Sequence, residues 1–183
     1  MAMAARQPRS PRPLNPAKLE EMALSYVGRF ATSRAKLTSY LRRKLRERGW
    51  DGQCDPAPDA LAERLAGLGY VDDRAFAVAK ARSLTGRGYG ERRVRQALTV
   101  AGIGEEEGAP ALELAGSEAA EAALRFARRR SIGPYAGERP DPKQRERVLG
   151  SMIRAGHRFA IARAIVDMAP GETPDLESLR DLV

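Results

Sequence analysis

Leu37-Thr-Ser-Tyr-Leu41-Arg-Arg-Lys-Leu45-Arg-Glu-Arg-Gly49 is a short basic stretch whose leucines return every four residues and whose last residue is glycine. Leucines at that spacing share one side of a helix, and glycine ends a helix readily because it enters the left-handed region without strain. Two further stretches follow the same plan: Arg93-Val94-Arg-Gln-Ala-Leu98-Thr-Val-Ala-Gly102 and Arg147-Val148-Leu-Gly-Ser-Met152-Ile-Arg-Ala-Gly156. Their closing glycines stand 53 and 54 residues apart. Superposed on those glycines, Leu41 falls on Val94 and Val148, and Leu45 on Leu98 and Met152. Self-similarity at a period of about 50 residues predicts an array of like helical modules.

Composition agrees with thin helical layers. Of 183 residues, 43% are apolar but only 5% aromatic, so the core must be built mainly of Ala, Leu and Val. Alternating β-branched runs are absent, and a unit of about 50 residues buries too little apolar surface to stand alone, so neighbours must stack. The expected fold is therefore all-α, with tandem three-helix repeats forming an elongated, curved array.

The net charge is +8, with a pI near 10.1. Residues 1–50 carry a net +9, residues 51–104 a net +1 and residues 105–183 a net −2. A basic field concentrated at one end attracts polyanions, of which nucleic acid is the usual one. The excess of 27 Arg over 5 Lys is equally well explained by genomic base composition, although the asymmetry along the chain is not. Cys54 is the only cysteine, so no internal disulfide forms, and it reads as an incidental loop residue suited to a reducing cytosol. No apolar run approaches the ~18 residues of a membrane span, and the Arg/Pro-rich opening lacks the apolar segment of a secretory signal. The expectation is a cytoplasmic protein that does not enter a membrane.

Punctuation divides the chain. Residues 1–16 read as a disordered basic tail. Repeat 1, over 17–71, opens with Asn15-Pro16 as cap and first helical residue, and Leu19, Ala23, Tyr26, Val27 and Phe30 form its first stripe. Thr32-Ser33 caps the basic helix, and a third helix over about 59–68 turns Leu61, Leu65 and Leu68 inward. Repeat 2, over 72–116, carries Phe76, Ala79 and Leu84 inward and ends in a short helix around Leu112 and Leu114. Repeat 3, over 117–169, includes Ala120, Leu124 and Ala127, then a Gly/Pro-rich loop over 131–140. Asp141 caps its next helix, and Phe159, Ala162, Ile165 and Val166 line its last. Residues 170–183 read as an acidic C-terminal tail of weak periodicity.

At about 100° per residue, Arg42, Arg43 and Arg46 lie opposite the leucines of the first basic helix. Arg92, Arg93 and Gln96 take that place in the second, and Lys143, Arg147 and Arg154 in the third. With Arg87 and Arg95 beside them, these cations are the candidate contact residues for a nucleic acid or partner; the competing reading is a solvated polar face. Lys44 and Arg48 fall beside Leu37 and are expected to snorkel from its edge.

Catalysis finds little support. His157 is the only histidine, so a two-histidine metal site is impossible, and Asp72-Asp73 reads as a helix start rather than a carboxylate pair. Gly86-Arg-Gly88-Tyr-Gly90 completes neither a Walker nor a dinucleotide fingerprint and reads as an interhelical turn. No catalytic residue, metal ligand or cofactor is expected.

The run Leu68-Gly-Tyr70-Val-Asp72-Asp73-Arg-Ala-Phe76-Ala77, followed by Arg87-Gly88-Tyr-Gly90-Glu-Arg-Arg93-Val94-Arg-Gln-Ala-Leu98-Thr-Val-Ala-Gly102-Ile103, resembles the RecX family of bacterial regulators of the RecA recombinase. The likeness extends to Ala23-Leu24-Ser-Tyr26 and Ser33-Arg-Ala-Lys-Leu37, and covers roughly residues 17–169. It implies tandem three-helix repeats and a monomeric, non-catalytic partner of RecA. It further implies occupation of the groove of the RecA filament on single-stranded DNA, with suppression of ATP hydrolysis, strand exchange and co-protease activity. His157 stands where the family usually has an aromatic after the third glycine, and Thr85-Gly86 where it is often more basic. Two other readings fit the basic helices. One is a general helical protein that binds single- or double-stranded DNA without dependence on RecA. The other is a helix-turn-helix transcription regulator, which would present one recognition helix per subunit.

Overall fold

The computed structural model describes residues 12–182, which form ten α-helices and a 3-10 turn, with no strand among the described residues beyond a single parallel bridge between Leu14 and Trp50. The chain divides into two compact units at Asp72/Asp73.

In the first unit, α1 (Pro16–Val27) begins where the Asn15 side chain accepts from Lys18 N at 2.9 Å, with proline in the first turn. Helix α2 (Arg34–Arg48) begins where Ser33 Oγ accepts from Lys36 N at 3.2 Å, and it ends at Gly49 with φ of 78°. Helix α3 (Pro58–Gly67) again starts on proline and closes through Gly69, φ 79°. Their apolar faces meet in one core of Leu14, Leu19, Ala23, Leu37, Leu41, Ala62, Leu65 and Val71. Each fully buried leucine there contributes roughly 1.5–3 kcal/mol from burial.

The second unit holds two such cores. Helices α4 (Asp73–Gly86), α5 (Glu91–Val100) and α6 (Glu105–Ser117) enclose Ala77, Ala81, Leu84, Val94, Leu98, Ala111 and Ala115. Helix α6 starts within the Glu105-Glu106-Glu107 run, whose carboxylates oppose the positive end of the helix dipole. Helices α7 (Ala119–Arg130), α8 (Pro142–Arg154), α9 (Phe159–Asp167) and α10 (Leu176–Arg180) surround Phe126, Ile132, Met152, Ile161, Ile165, Val166 and Leu179. Asp141 caps α8 by accepting from Gln144 N at 2.8 Å. The loop before it folds into a 3-10 turn, Gly133–Tyr135, with Ile132, Gly133 and Pro134 buried. Tyr89, between α4 and α5, packs against both cores.

The superposed positions behave alike: Leu41 and Val94 are fully buried and Val148 is half-buried, while Leu98 and Met152 are buried and Leu45 is half-buried. Several inward assignments change. In α4 the buried line is Ala77, Ala81 and Leu84; Ala79 is exposed and Phe76 half-buried. The reason is close packing of α4 along α6, where Ala77 and Ala81 share a core with Ala111 and Ala115 and small side chains let the backbones approach. Phe30, Leu68 and Phe159 are 57%, 62% and 58% exposed. Phe30 and Leu68 lie just past the ends of α1 and α3, and Phe159 is the first residue of α9, so none has a full helical turn to hold it inward.

Arg12–Pro16, the end of the expected tail, are ordered around Leu14, which is fully buried and whose carbonyl accepts from Asp51 N at 2.7 Å. Residues 1–11 of that tail lie outside the described residues. The acidic C-terminal stretch contains α10, capped by Asp175 and anchored by the buried Leu179. No helix among the described residues is long and apolar enough to cross a membrane.

Candidate functional site

The first unit presents Arg42, Arg43 and Arg46 on the exposed side of α2, as the helical period requires. Their surroundings differ. Arg42 pairs with Asp59 at 2.7 Å, Arg43 lies 5.7 Å over the Tyr40 ring and 3.9 Å from Glu47, and Arg46 has no ion pair among the described residues. These exposed pairs are worth at most about 1 kcal/mol each, so a polyanion can displace them. Lys44 pairs with Glu47, and Arg48 reaches back to donate to the Arg12 carbonyl, so both leave the apolar arc by its edge. An apolar depression of about 600 Å³ between Leu19, Trp50 and Leu61 includes none of the three row arginines.

The second unit joins two basic helices, α5 and α8, that are one repeat period apart in sequence. The Gly86–Gly90 turn carries α5 onto the end of α8: Gly90 N donates to the Ala155 carbonyl at 3.0 Å, and Arg92 N to the Gly156 carbonyl at 3.2 Å. Gly156 has φ of 98°, and a Cβ there would lie 2.5 Å from Arg93 N; a Cβ on Gly90 would overlap the Gly156 carbonyl. Two glycines thus let the backbones touch. The result is a concavity of about 320 Å³ lined by Arg92, Arg93, Gln96, Ile153, Arg154 and Gly156. Arg92 and Arg154 have no ion pair among the described residues, and Arg93 donates to Gln96 Oε1 at 2.9 Å. Guanidinium groups collected with no ion pair among the described residues form an anion-binding surface.

The other candidates go elsewhere. Arg95 is held by Glu91 at 2.5 Å, and Arg158 approaches the same carboxylate at 3.3 Å. Arg87 donates to the Ser83 carbonyl, and Arg87 and Arg93 flank the Tyr89 ring at 5.7 and 6.0 Å. Lys143 and Arg147 line a separate shallow depression with Asp141, Gln144 and Glu146. The exposed run Arg128-Arg129-Arg130 in the last turn of α7, absent from the sequence candidates, also belongs to the basic surface; Arg129 donates to the Arg87 carbonyl. Three adjacent arginines were a visible signal for it.

His157 is structural. It is 3% exposed, its Nε2 lies 3.1 Å from the Gly88 carbonyl, and its ring meets Phe126 edge-on at 5.5 Å. Burial drives its pKa from 6.5 down to about 4, against a smaller opposing pull from the bond to Gly88. A neutral ring that donates from Nε2 therefore fills the place of an aromatic. Among the described residues, no group of three or more His, Cys, Asp or Glu side chains could hold a metal ion.

Comparison with known proteins agrees with this architecture. The family model for the second three-helix domain of RecX matches residues 72–112. Regulatory protein RecX of Myxococcus xanthus is 32% identical over 175 residues, spanning 90% of this chain and 92% of its own length. Regulatory protein RecX of Agrobacterium fabrum is 31% identical over 148 residues, 78% of either chain. The crystal structure of RecX from Lactobacillus salivarius superposes with a TM-score of 0.57 at 18% identity, covering 82% of this chain and 93% of that one, a likeness of fold. With glycine-closed basic helices, three-helix cores and a relative matched over almost its whole length, the chain belongs to the RecX family of regulatory proteins.

Proposed function

We propose that this protein is a non-catalytic regulator that binds the RecA recombinase and its filament on single-stranded DNA, and thereby inhibits ATP hydrolysis, strand exchange and co-protease activity. Membership of a family of regulatory proteins supports the regulatory role, the resemblance implies RecA as partner, and the observation that carries the reading is the concavity lined by Arg92, Arg93 and Arg154, which have no ion pair among the described residues. A filament on single-stranded DNA carries the phosphates of that strand, and a regulator with several cationic faces can engage it at more than one point, which multiplies weak contacts. Binding that favours one filament conformation slows a cycle that must visit others. The working unit is a cytoplasmic monomer of three repeats, 17–71, 72–116 and 117–169, with Arg42, Arg43, Arg46, Arg87, Arg92, Arg93, Arg95, Lys143, Arg147 and Arg154 as the contact set.

The test is the DNA-dependent ATPase of the cognate recombinase with this protein at sub-stoichiometric ratios. Inhibition is expected; an unchanged turnover rate at saturating protein, with the DNA still accessible, refutes the reading. A second reading, general nucleic-acid binding without RecA, is favoured by Arg46, Arg92 and Arg154, which have no ion pair among the described residues, and requires affinity that falls steeply with salt and ignores the recombinase.

A further inference from the structure

At the end of α1 the chain keeps a phenylalanine in water. Phe30 is 57% exposed, yet its backbone N donates to the Tyr26 carbonyl at 3.0 Å, so the residue is fixed rather than loose. Its ring stands 5.3 Å from Tyr26, and Tyr26 is stacked on Tyr40 of α2 at 4.2 Å and 16°. Arg43 lies over Tyr40, and Arg46 follows one turn along the same helix. Arg29, beside Phe30 in sequence, is exposed with no ion pair among the described residues. A single exposed aromatic needs no explanation. An exposed ring at the end of a row of three aromatics, with Arg29 next to it in sequence and Arg43 over the far ring, has a specific use.

We propose that Phe30, braced by the Tyr26–Tyr40 stack, is a seat on which an unpaired base of single-stranded nucleic acid stacks while Arg29, Arg43 and Arg46 meet the adjoining phosphates. Every base has a π-face, so such a seat accepts any sequence, and cations beside it supply the salt-dependent part of the affinity. Duplex DNA hides those faces in its own stack and cannot use the ring. The seat therefore gives the first unit a preference for single strands that arginine rows alone lack. The inference rests on the polyanion-facing part of the function proposed above.

The experiment measures binding of the full-length chain, without recombinase, to three fluorescently labelled DNAs of equal phosphate number: a single strand, the same strand with abasic sites, and a duplex. The wild-type chain binds the intact single strand most tightly. Phe30→Ala weakens that binding about tenfold, in the range of one lost base–aromatic stack, and leaves abasic-strand and duplex binding unchanged. Phe30→Trp retains the preference. Wild-type affinity that is equal for intact and abasic strands refutes the seat, and this comparison needs no variant. So does a Phe30→Ala chain that loses all three DNAs alike, or one that binds all three as tightly as the wild type, which would leave the ring without a nucleic-acid role. Because no recombinase is present, a failed seat leaves the RecA reading standing, and an unaffected ATPase leaves the seat standing.

Discussion

His157 makes folding stability depend on pH in a way that one substitution can isolate. In the unfolded chain its imidazole titrates near 6.5, while in the fold burial holds it near 4. The folded state therefore binds a proton less readily than the unfolded state, and stability is full above 6.5, falls as the pH drops from 6.5 to 4, and levels off below that. That window corresponds to roughly 3 kcal/mol at 1.36 kcal/mol per pH unit, a large part of the 5–15 kcal/mol that holds a typical domain together. Carboxylates move the same way: Asp167, held below its usual range by the Arg145 hydrogen bond, also loses stabilising charge in acid. The comparison must therefore be with His157→Gln, which keeps a donor for the Gly88 carbonyl but does not titrate. Urea unfolding at pH 7 and pH 4 should show the wild type losing about 3 kcal/mol more than the variant between the two conditions. Loss of the ring contact with Phe126 shifts the variant equally at both pH values and drops out. As the sole histidine, it also gives an unambiguous NMR titration. A midpoint near 6.5 in the folded protein, or equal pH dependence in the two chains, refutes the account.

Replacing Arg42, Arg43 and Arg46 together by Glu should leave helicity intact by circular dichroism, since each side chain is exposed, while binding to a polyanionic or acidic partner collapses; retained recombinase inhibition would make that face merely solvated. Arg92, Arg93 and Arg154 changed together to Glu should likewise abolish anion binding at the concavity, read by the loss of salt-sensitive DNA affinity at unchanged melting temperature. Leu41→Ala removes a fully buried side chain and should lower unfolding free energy by about 2–5 kcal/mol in denaturant titrations; a loss well under that range would mean the first core repacks. Gly156→Ala forces a Cβ against Arg93 N at positive φ, so a cost of about 1–3 kcal/mol is expected, with reduced amide-exchange protection at Arg92 N.

The helices were legible where local chemistry decides them. Asn15, Ser33 and Asp141 cap as their side chains suggest, and Gly49, Gly102 and Gly156 close the three basic helices at positive φ. The alanine-rich α4 was harder, because alanine is compatible with either face and only packing against α6 selects Ala77 and Ala81 over Ala79. The start of α6 was obscured by three glutamates that look like a loop until their position at a helix N-terminus is known. Each basic row could be drawn from the helical period. The meeting of Arg93 with Arg154 could not, since it depends on a backbone contact between Gly90 and Gly156, and no side-chain pattern encodes a carbonyl accepting from an amide so far along the chain.

That contact has a consequence for how the surface can change. The spacing between the cations of α5 and those of α8 is set by amides and carbonyls, atoms that every residue type supplies, so it works as a ruler independent of the side chains it carries. Arginines on either helix can be exchanged, added or removed without altering the distance at which their replacements stand. The freedom of the outer surface is matched by rigidity at two points, because only a residue without a Cβ lets the ruler close. A surface of this kind can be re-tuned in charge for a different anionic target while its geometry is kept.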